Sequence, residues 1–480
     1  MSLKAKLNST SPVVKAAAVY TIASFLVKGL HLITTPLFTR IMTVEQIGEV
    51  TNYATWLAYF STVVALGLTS GAINIALKEY KEDRSGYVKS SQTVLIISVI
   101  VFGLLTWLLY PYISSFMGMP WHYVVVMFVA MMFTFSQHNW MAWQRYEYRY
   151  KVVAGVTIGS SVLVTVVSLL AVVWAKNKGI EDLSTVRIYT QTSIALLFSV
   201  PIFIYIQSRK KPLINKKYTF FSLQIGLPMV VHAFSKTLLS ASDKTMINAM
   251  LGARALGLYS ILYVVSSLSI IVWESINTSF VPYFFEKLDS EKDNTKTIRK
   301  ISFVMLAVFG AVSFLLALFA PELVMIIGGE QYMEAVYVAP PVCAGIFFIA
   351  LYSLYGNVLM YYKKTNYVML CTLAAAVFNV VANIIFIPMF GYIAAAYTTL
   401  ASYAFMALVY CVISKRIADR LIYNNRAFWL ISVIVVGLCL MCNLLYINTI
   451  VRYAVIGSML IALLCLRRPI LATIKQIRKK

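Results

Sequence analysis

Apolar stretches long enough to cross a bilayer recur along this chain from near its start to near its end, and they leave few folds open to it. A spanning helix needs about 20 predominantly apolar residues. On that template the stretches fall at roughly 13–41, 50–77, 91–110, 122–143, 152–175, 186–207, 222–250, 255–280, 301–327, 334–360, 366–388, 392–414, 428–447 and 451–467. The expectation is an all-α polytopic membrane protein with about 14 transmembrane helices. Composition agrees: 60% of the 480 residues are hydrophobic and only 12% are charged, about half the roughly 25% of a soluble domain.

The charges that remain are strongly unbalanced, 41 Lys+Arg against 18 Asp+Glu, for a formal net charge of +23. In a soluble chain this would suggest nucleic acid; here the positive-inside rule accounts for it, and no nucleic-acid partner is expected. With the N-terminus placed in the cytoplasm, the outer segments hold only Arg40, Lys176, Lys178, Arg187, Lys244, Arg254 and Arg452. Lys28 and Lys236 lie mid-helix, and every other basic residue falls on an inner segment. A missed or spurious helix would scramble this alternation, so fourteen helices with both termini cytoplasmic is the expected topology. Cys343, Cys371, Cys411, Cys439, Cys442 and Cys465 all sit in apolar runs and form no disulfide framework. Cys439 and Cys442 lack the second pair that a metal site needs. Met1 to Lys15 is polar and basic and the run after it is long enough to span, so no cleavable signal peptide is expected.

A shift of about 209 residues lays IMTVEQIGEV (41–50) on MLGARALGLY (250–259), with Gly48 meeting Gly257. The charged inner loop at 78–90 then falls on that at 287–300, and the basic cluster at 209–217 near Lys415 to Arg426. Two lobes of six helices in the same topology follow, 1–217 and 218–426, related by an axis along the membrane normal. Residues 427–480 add two helices and a basic tail outside the repeat.

The same repeat pairs the first helix with the seventh. Ser24, Lys28, His31 and Thr35 form one helical stripe; His232, Lys236, Ser240 and Asp243 form another. A charge at mid-membrane depth costs roughly 2.5–3.5 kcal/mol on insertion scales, so Lys28 and Lys236 should face water, a ligand or a partner. Substrate sites in two-lobed transporters lie near the midplane, where both lysines point. Lysine is a compact cation suited to phosphate. The alternative for Lys236 is a structural ion pair with Asp243 or Glu274. Those two acids are also the candidates for ion or proton coupling, as intramembrane carboxylates mark such relays. His138 and Arg145 fit either a cytoplasmic mouth or contact with lipid headgroups. Gly67-x-x-x-Gly71 and Gly155-x-x-x-Gly159 read as close helix-packing patterns, and Pro36, Pro228 and Pro388 as hinge candidates. No nucleotide loop, nucleophile elbow, metalloprotease motif or catalytic carboxylate pair is present, so the chain is not expected to be an enzyme.

Several stretches resemble polysaccharide flippases. They are Gly226-Leu-Pro228, Asp243-Lys244, Leu251-Gly252 with Leu256-Gly257-Leu-Tyr259, and Pro36…Arg40 with Glu45-Gln-Ile-Gly48. Ile327-Gly-Gly-Glu-Gln-Tyr332 and Asn379…Asn383…Ile387-Pro388…Gly391…Ala395-Ala396 complete the set. The similarity is to the O-antigen and capsule flippases of the multidrug/oligosaccharidyl-lipid/polysaccharide exporter superfamily and spans nearly the whole chain. It implies translocation of an undecaprenyl-diphosphate-linked oligosaccharide from the inner to the outer leaflet of a bacterial inner membrane. The implied mechanism is alternating access through a cationic cavity lined by Lys28, His31, Arg40, His232, Lys236 and Lys244. No cofactor is implied beyond H+ or Na+ coupling; the implied partners are membrane lipid, a polysaccharide polymerase and glycosyltransferases. Fourteen helices rather than twelve is a departure toward the lipid II flippases, but that branch's arginines in helices 1, 2 and 8 are absent. A drug/cation antiporter of the same superfamily would prefer an acidic or aromatic cavity. A scaffold or polymerase-like enzyme would show no repeat and large outer loops.

Overall fold

The computed structural model describes residues 12–290, 294–418, 421–465 and 467; the regular structure among them is helical, with no strand. By packing, the chain forms two compact units, Met1–Thr237 with Gly252–Arg254, and Leu238–Leu251 with Ala255–Lys480. The expected lobe boundary at 217/218 falls in the first turn of the helix Lys216–Asp289, whereas the packing boundary falls further along the same helix, because the stretch 218–237 packs with the first unit.

The first unit contains α1 (Pro12–Ile41), α2 (Val44–Val64), α3 (Gly71–Glu79), α4 (Arg84–Met117), α5 (Trp121–Tyr146), α6 (Tyr150–Asn177) and α7 (Leu183–Gln207). It also takes the start of α8 (Lys216–Asp289). α6 packs on α1 and α7, and α5 packs on α4 and α7. Local chemistry sets the ends. Thr43 and Gln46 form a reciprocal capping box, the Gln46 N–H donating to Thr43 Oγ1 at 3.2 Å and the Thr43 N–H to Gln46 Oε1 at 3.1 Å. This is the local role of the Glu45-Gln-Ile-Gly48 stretch. Gly118, in the left-handed region at φ 55°, closes α4, and the Asp182 carboxylate caps α7 by accepting from the Thr185 N–H at 2.9 Å.

The second unit contains the rest of α8, then α9 (Thr295–Leu318), α10 (Ala320–Ile327), a 3-10 turn (Glu330–Val338), α11 (Ala339–Tyr361), α12 (Thr365–Phe390), α13 (Tyr392–Ile417), α14 (Asn425–Leu445) and α15 (Thr449–Cys465). α11 is its hub. Nearly every residue from Ala339 to Leu359 is buried, and α9, α13 and α14 all pack on it. The outer helices show the reverse pattern, with Leu444 69% and Val433 68% exposed on α14 and Leu108 60% exposed on α4. Apolar side chains that face outward along whole helices need lipid around them. α15 is tied down by the Arg452 guanidinium, which donates to the Glu322 carboxylate at the start of α10.

Eleven stretches among the described residues are helical, long and apolar enough to cross a membrane, so this is a multi-pass membrane protein. The differences from the expected helices have local causes. The seventh and eighth run on as α8, interrupted only at Gly252 (φ 84°, ψ 174°), a conformation that glycine adopts without a Cβ penalty. The last, α15, covers 17 residues. The second is not one helix. Between α2 and α3 the backbone unwinds, with Leu66 at φ 49° and Gly67 at φ 73°.

That break is held by the start of α8. A Cβ placed on Gly67 would lie 2.4 Å from the Gly226 carbonyl oxygen, and one on Gly226 would lie 2.3 Å from the Leu66 carbonyl oxygen. The two backbones touch where neither residue has a side chain. Ser98 of α4 donates to the Val64 carbonyl at 2.7 Å, pairing a group that the broken helix leaves over. The Gly67-x-x-x-Gly71 pattern is therefore a helix break seated on α8, not a helix-on-helix seam. A Cβ placed on Gly155 or Gly159 would meet nothing within 4 Å, so that pattern marks no close packing among the described residues.

Replacing Gly67 or Gly226 with alanine should lower the unfolding temperature of the detergent-purified protein, costing about 1–3 kcal/mol for backbone strain and overpacking. Gly155→Ala should unfold at or slightly above the wild-type temperature. Intrinsic fluorescence during a thermal ramp reads all three; equal melting of Gly67→Ala and wild type would show that the joint is loose.

Candidate functional sites in the two units

α1 carries Lys28, His31 and Arg40, and the start of α8 carries His232 and Lys236; all five side chains are exposed and all belong to the first unit. The register of the two polar stripes follows from regular helix over both stretches. The His31 ring lies 3.4 Å from Thr35 Oγ1, and that hydroxyl also donates to the His31 carbonyl at 2.7 Å, so the stripe is locally hydrogen-bonded along one face.

None of those five residues lines the cavity of about 620 Å³ that opens within the same unit. The walls of that cavity come from α2, the unwound segment, α5, α6, α7 and the start of α8. Its polar groups are Tyr53, Ser61, Thr62, Thr69, Ser70, Thr134, His138, Gln191 and Thr192, and among the described residues lining it there is no Asp, Glu, Lys or Arg. The unwinding at Leu66 and Gly67 puts Thr69 and Ser70 on its wall. Irregular backbone at membrane depth is tolerated where it is buried in protein or lines a cavity, and here it does the second. His138 thus belongs to this cavity wall, while Arg145 lies with its guanidinium carbon 5.7 Å from the Tyr20 ring centroid.

The second unit holds a buried acid. Asp243 is 2% exposed and accepts the Tyr259 hydroxyl and, at 2.9 Å, the Lys244 backbone N–H. The Lys244 ammonium sits 4.6 Å from the Tyr263 ring centroid, a cation–π position. Lys244 is half-buried against an aromatic ring and the acid beside it, not on an open face. Next to the acid, Ser242 donates to Asn379 Oδ1 at 2.6 Å and Asn383 donates to the same oxygen at 3.1 Å. Asn379 donates to Thr399 Oγ1 at 3.4 Å, and Thr398 donates to the Asn383 carbonyl oxygen. The tyrosine of the Gly257-Leu-Tyr259 stretch and both asparagines of the Asn379…Asn383 stretch are therefore parts of one buried polar network. Glu274 lies apart on the exposed continuation of α8, its backbone carbonyl accepting from Thr278 at 2.7 Å.

Sequence reasoning found Asp243 but not its phenol partner, which lies 16 residues on and is reached only because α8 bends at Gly252. It missed the uncharged cavity altogether. The available signal was modest: Thr134, His138, Gln191 and Thr192 are polar residues inside apolar spans. Tyr259→Phe should destabilise the protein by about 1–3 kcal/mol, because a buried carboxylate loses its donor. Tyr263→Phe keeps the ring under Lys244 and should cost less. Size-exclusion recovery after graded heating compares them, and a wild-type profile for Tyr259→Phe would remove the phenol from the account.

Comparison with known proteins gives the same architecture. Two Haemophilus influenzae proteins are similar in sequence. "Lsg locus putative protein 1" is 22% identical over 77% of this chain and 90% of its own length, and an "uncharacterized membrane protein" is 21% identical over 75% and 86%. Among solved structures, the lipid II flippase MurJ in an inward closed conformation superposes with a TM-score of 0.67 at 13% identity, covering 94% of this chain and all of that one. An inward-facing multidrug resistance MATE family transporter superposes at 0.57 and 14% identity, covering 84% and 97%. The profile of the family described as "Polysaccharide biosynthesis protein" matches residues 13–288, more than half of the sequence, and the chain belongs to that family.

Proposed function

We propose that this protein flips a polyprenyl-diphosphate-linked oligosaccharide from the inner to the outer leaflet of the bacterial inner membrane during cell-surface polysaccharide synthesis. The observation that carries the reading is the stripe chemistry: Lys28 and His31 on α1, and His232 and Lys236 on α8, are exposed cations or imidazoles set in predominantly apolar stretches of their helices. A lysine at such depth calls for water, an anionic ligand or a protein partner, and its exposure leaves it within reach of a ligand. A diphosphate fits that charge, and a polyprenyl tail can remain in lipid while the head is shielded. Family membership supports a role in polysaccharide synthesis, and the likeness to a lipid II flippase supports a lipid-linked cargo. Fourteen helices with both termini cytoplasmic, and alternating access between lobes, complete the proposal; a polymerase and glycosyltransferases are the expected neighbours in the pathway.

Asp243 is the coupling candidate. Its carboxylate is buried, takes the Tyr259 hydroxyl as its side-chain donor, and sits beside a network of amide and hydroxyl oxygens able to accept a proton or receive Na+. Glu274, exposed, is a weaker candidate for the same role. The second reading, ion-coupled export of an organic cation, is favoured by the MATE-like fold, but the first unit's cavity has no acidic residue among its described lining to receive a cation.

In proteoliposomes, a fluorescent polyprenyl-diphosphate oligosaccharide should become accessible in the far leaflet with wild type. Lys28→Ala and Lys236→Ala should each slow this by roughly tenfold or more, the loss of one charge-assisted hydrogen bond. Normal flipping by both folded variants would reject the cationic site, and cation export without flipping would establish the antiporter. For topology, single cysteines replacing Glu82 and Asn177 in a Cys465→Ser background should react with an impermeant maleimide from opposite sides, Asn177→Cys in intact cells and Glu82→Cys only after permeabilisation. The reverse pattern would invert the topology.

A further inference from the structure

The uncharged cavity of the first unit has a composition unlike that expected of a diphosphate site. It is about 620 Å³, within the roughly 300–1,000 Å³ of small-ligand pockets. Hydroxyls, an amide and the His138 imidazole supply its hydrogen-bonding groups, and Tyr53 and Phe135 supply aromatic surface. Two independent features mark it as a ligand site and not a packing defect. The first is the unwound segment: Leu66, which has a side chain, is held at φ 49° so that Thr69 and Ser70 reach the wall. Non-glycine residues rarely adopt that conformation, and such outliers gather at binding sites. Discontinuous helices also build the sites of transporters. The second is Tyr53, which is 7% exposed on the cavity wall. Thr192 stands beside it, yet among the described residues its buried hydroxyl makes no hydrogen bond of normal geometry. Buried hydroxyls are nearly always paired, so this one is left for something that enters the cavity.

Hydroxyl and amide donors and acceptors without formal charge, next to aromatic rings, suit a ligand that is polyhydroxylated and neutral. A phosphate would find no lysine or arginine among the described lining residues, and an organic cation no carboxylate. We propose that this cavity binds a neutral sugar residue, with Tyr53, Thr134, Gln191 and Thr192 as its hydrogen-bonding contacts and the unwound segment at Thr69 and Ser70 as one wall. This deepens the flippase reading and rests on it for the origin of the sugar, the saccharide part of the lipid-linked cargo. Diphosphate and saccharide are then recognised by separate groups of residues, the exposed lysines for one and the neutral cavity for the other.

The test is equilibrium binding to the purified full-length protein in nanodiscs. Two kinds of radiolabelled probe are used: a panel of neutral tetrasaccharides, free or joined to polyprenyl diphosphate, and bare polyprenyl diphosphate. Wild type should bind at least one free tetrasaccharide. Tyr53→Phe should weaken that binding roughly two- to tenfold, the range for one neutral hydrogen bond, while melting at or above the wild-type temperature, since it removes an unpartnered buried hydroxyl. Gln191→Leu should weaken it similarly, and neither change should alter binding of bare polyprenyl diphosphate. Lys236→Ala should do the opposite. Tighter binding of the carrier-linked form than of the free form would identify the lipid-linked cargo as the source of the sugar; equal binding would leave the cavity a sugar site for either. If no neutral tetrasaccharide binds, or if Tyr53→Phe and Gln191→Leu bind it as wild type does, the sugar site is wrong. Failure of wild type to flip in proteoliposomes while these binding results hold would overturn the flippase reading and leave the sugar site standing.

Discussion

The meeting of two main chains at Gly67 and Gly226 is the constraint on which the first unit turns. At this point α2 cannot continue as a helix, α8 comes close enough to touch it, and no room exists for a methyl group on either side. An unwound turn at membrane depth is costly, since its amides and carbonyls cannot turn to water. Here the Ser98 hydroxyl takes the Val64 carbonyl, and the remaining irregular backbone lies between a close-packed joint and a cavity. The joint thus explains three things together: why the second apolar stretch is two helices, why the Gly226-Leu-Pro228 stretch carries a glycine at that position, and why the cavity has polar walls.

The second unit solves a different problem, the burial of a carboxylate. Asp243 has a phenol and a backbone amide as donors, and an asparagine–threonine–serine network lies alongside. A buried network with its members mutually bonded is rigid and sensitive to the loss of any one of them. α11 supplies the scaffold, packed on three sides by α9, α13 and α14 and built of residues that have no wish for either water or lipid headgroups. Apart from the exposed stripes on α1 and α8, the two units thus hold polar chemistry of opposite character, one open and without carboxylate, lysine or arginine in its described lining, the other closed and ionic.

Much of this was legible in the letters. Membrane helices announce themselves by length and hydropathy, and the uneven distribution of lysine and arginine organises them. The stripes at Lys28 and Lys236 follow from helical spacing alone, and regular helix over both stretches preserves it. What could not be read were features that depend on contacts between distant segments. Gly67 and Gly71 at four-residue spacing look like a packing seam, and only the approach of Gly226 shows that the helix is broken there. Tyr259 lies beyond a bend from Asp243, so no periodicity joins them. The cavity residues come from five helices and the unwound segment; their polar members are isolated letters or short pairs in apolar runs, which sequence logic assigns to local backbone bonding.

The absence of Asp, Glu, Lys and Arg from the described lining of the first unit's cavity has an electrical consequence. Moving one elementary charge through the full transmembrane voltage involves about 2.3 kcal/mol per 100 mV. A neutral ligand carries no charge through that voltage, so occupancy of this cavity by the proposed sugar would be indifferent to the voltage across the bilayer. Under the proposed function, voltage sensitivity of transport would arise where charge moves, at a phosphate passing Lys28 and Lys236 or at an ion reaching Asp243. In that scheme the capture of sugar and the energising of its passage would be electrically separate events.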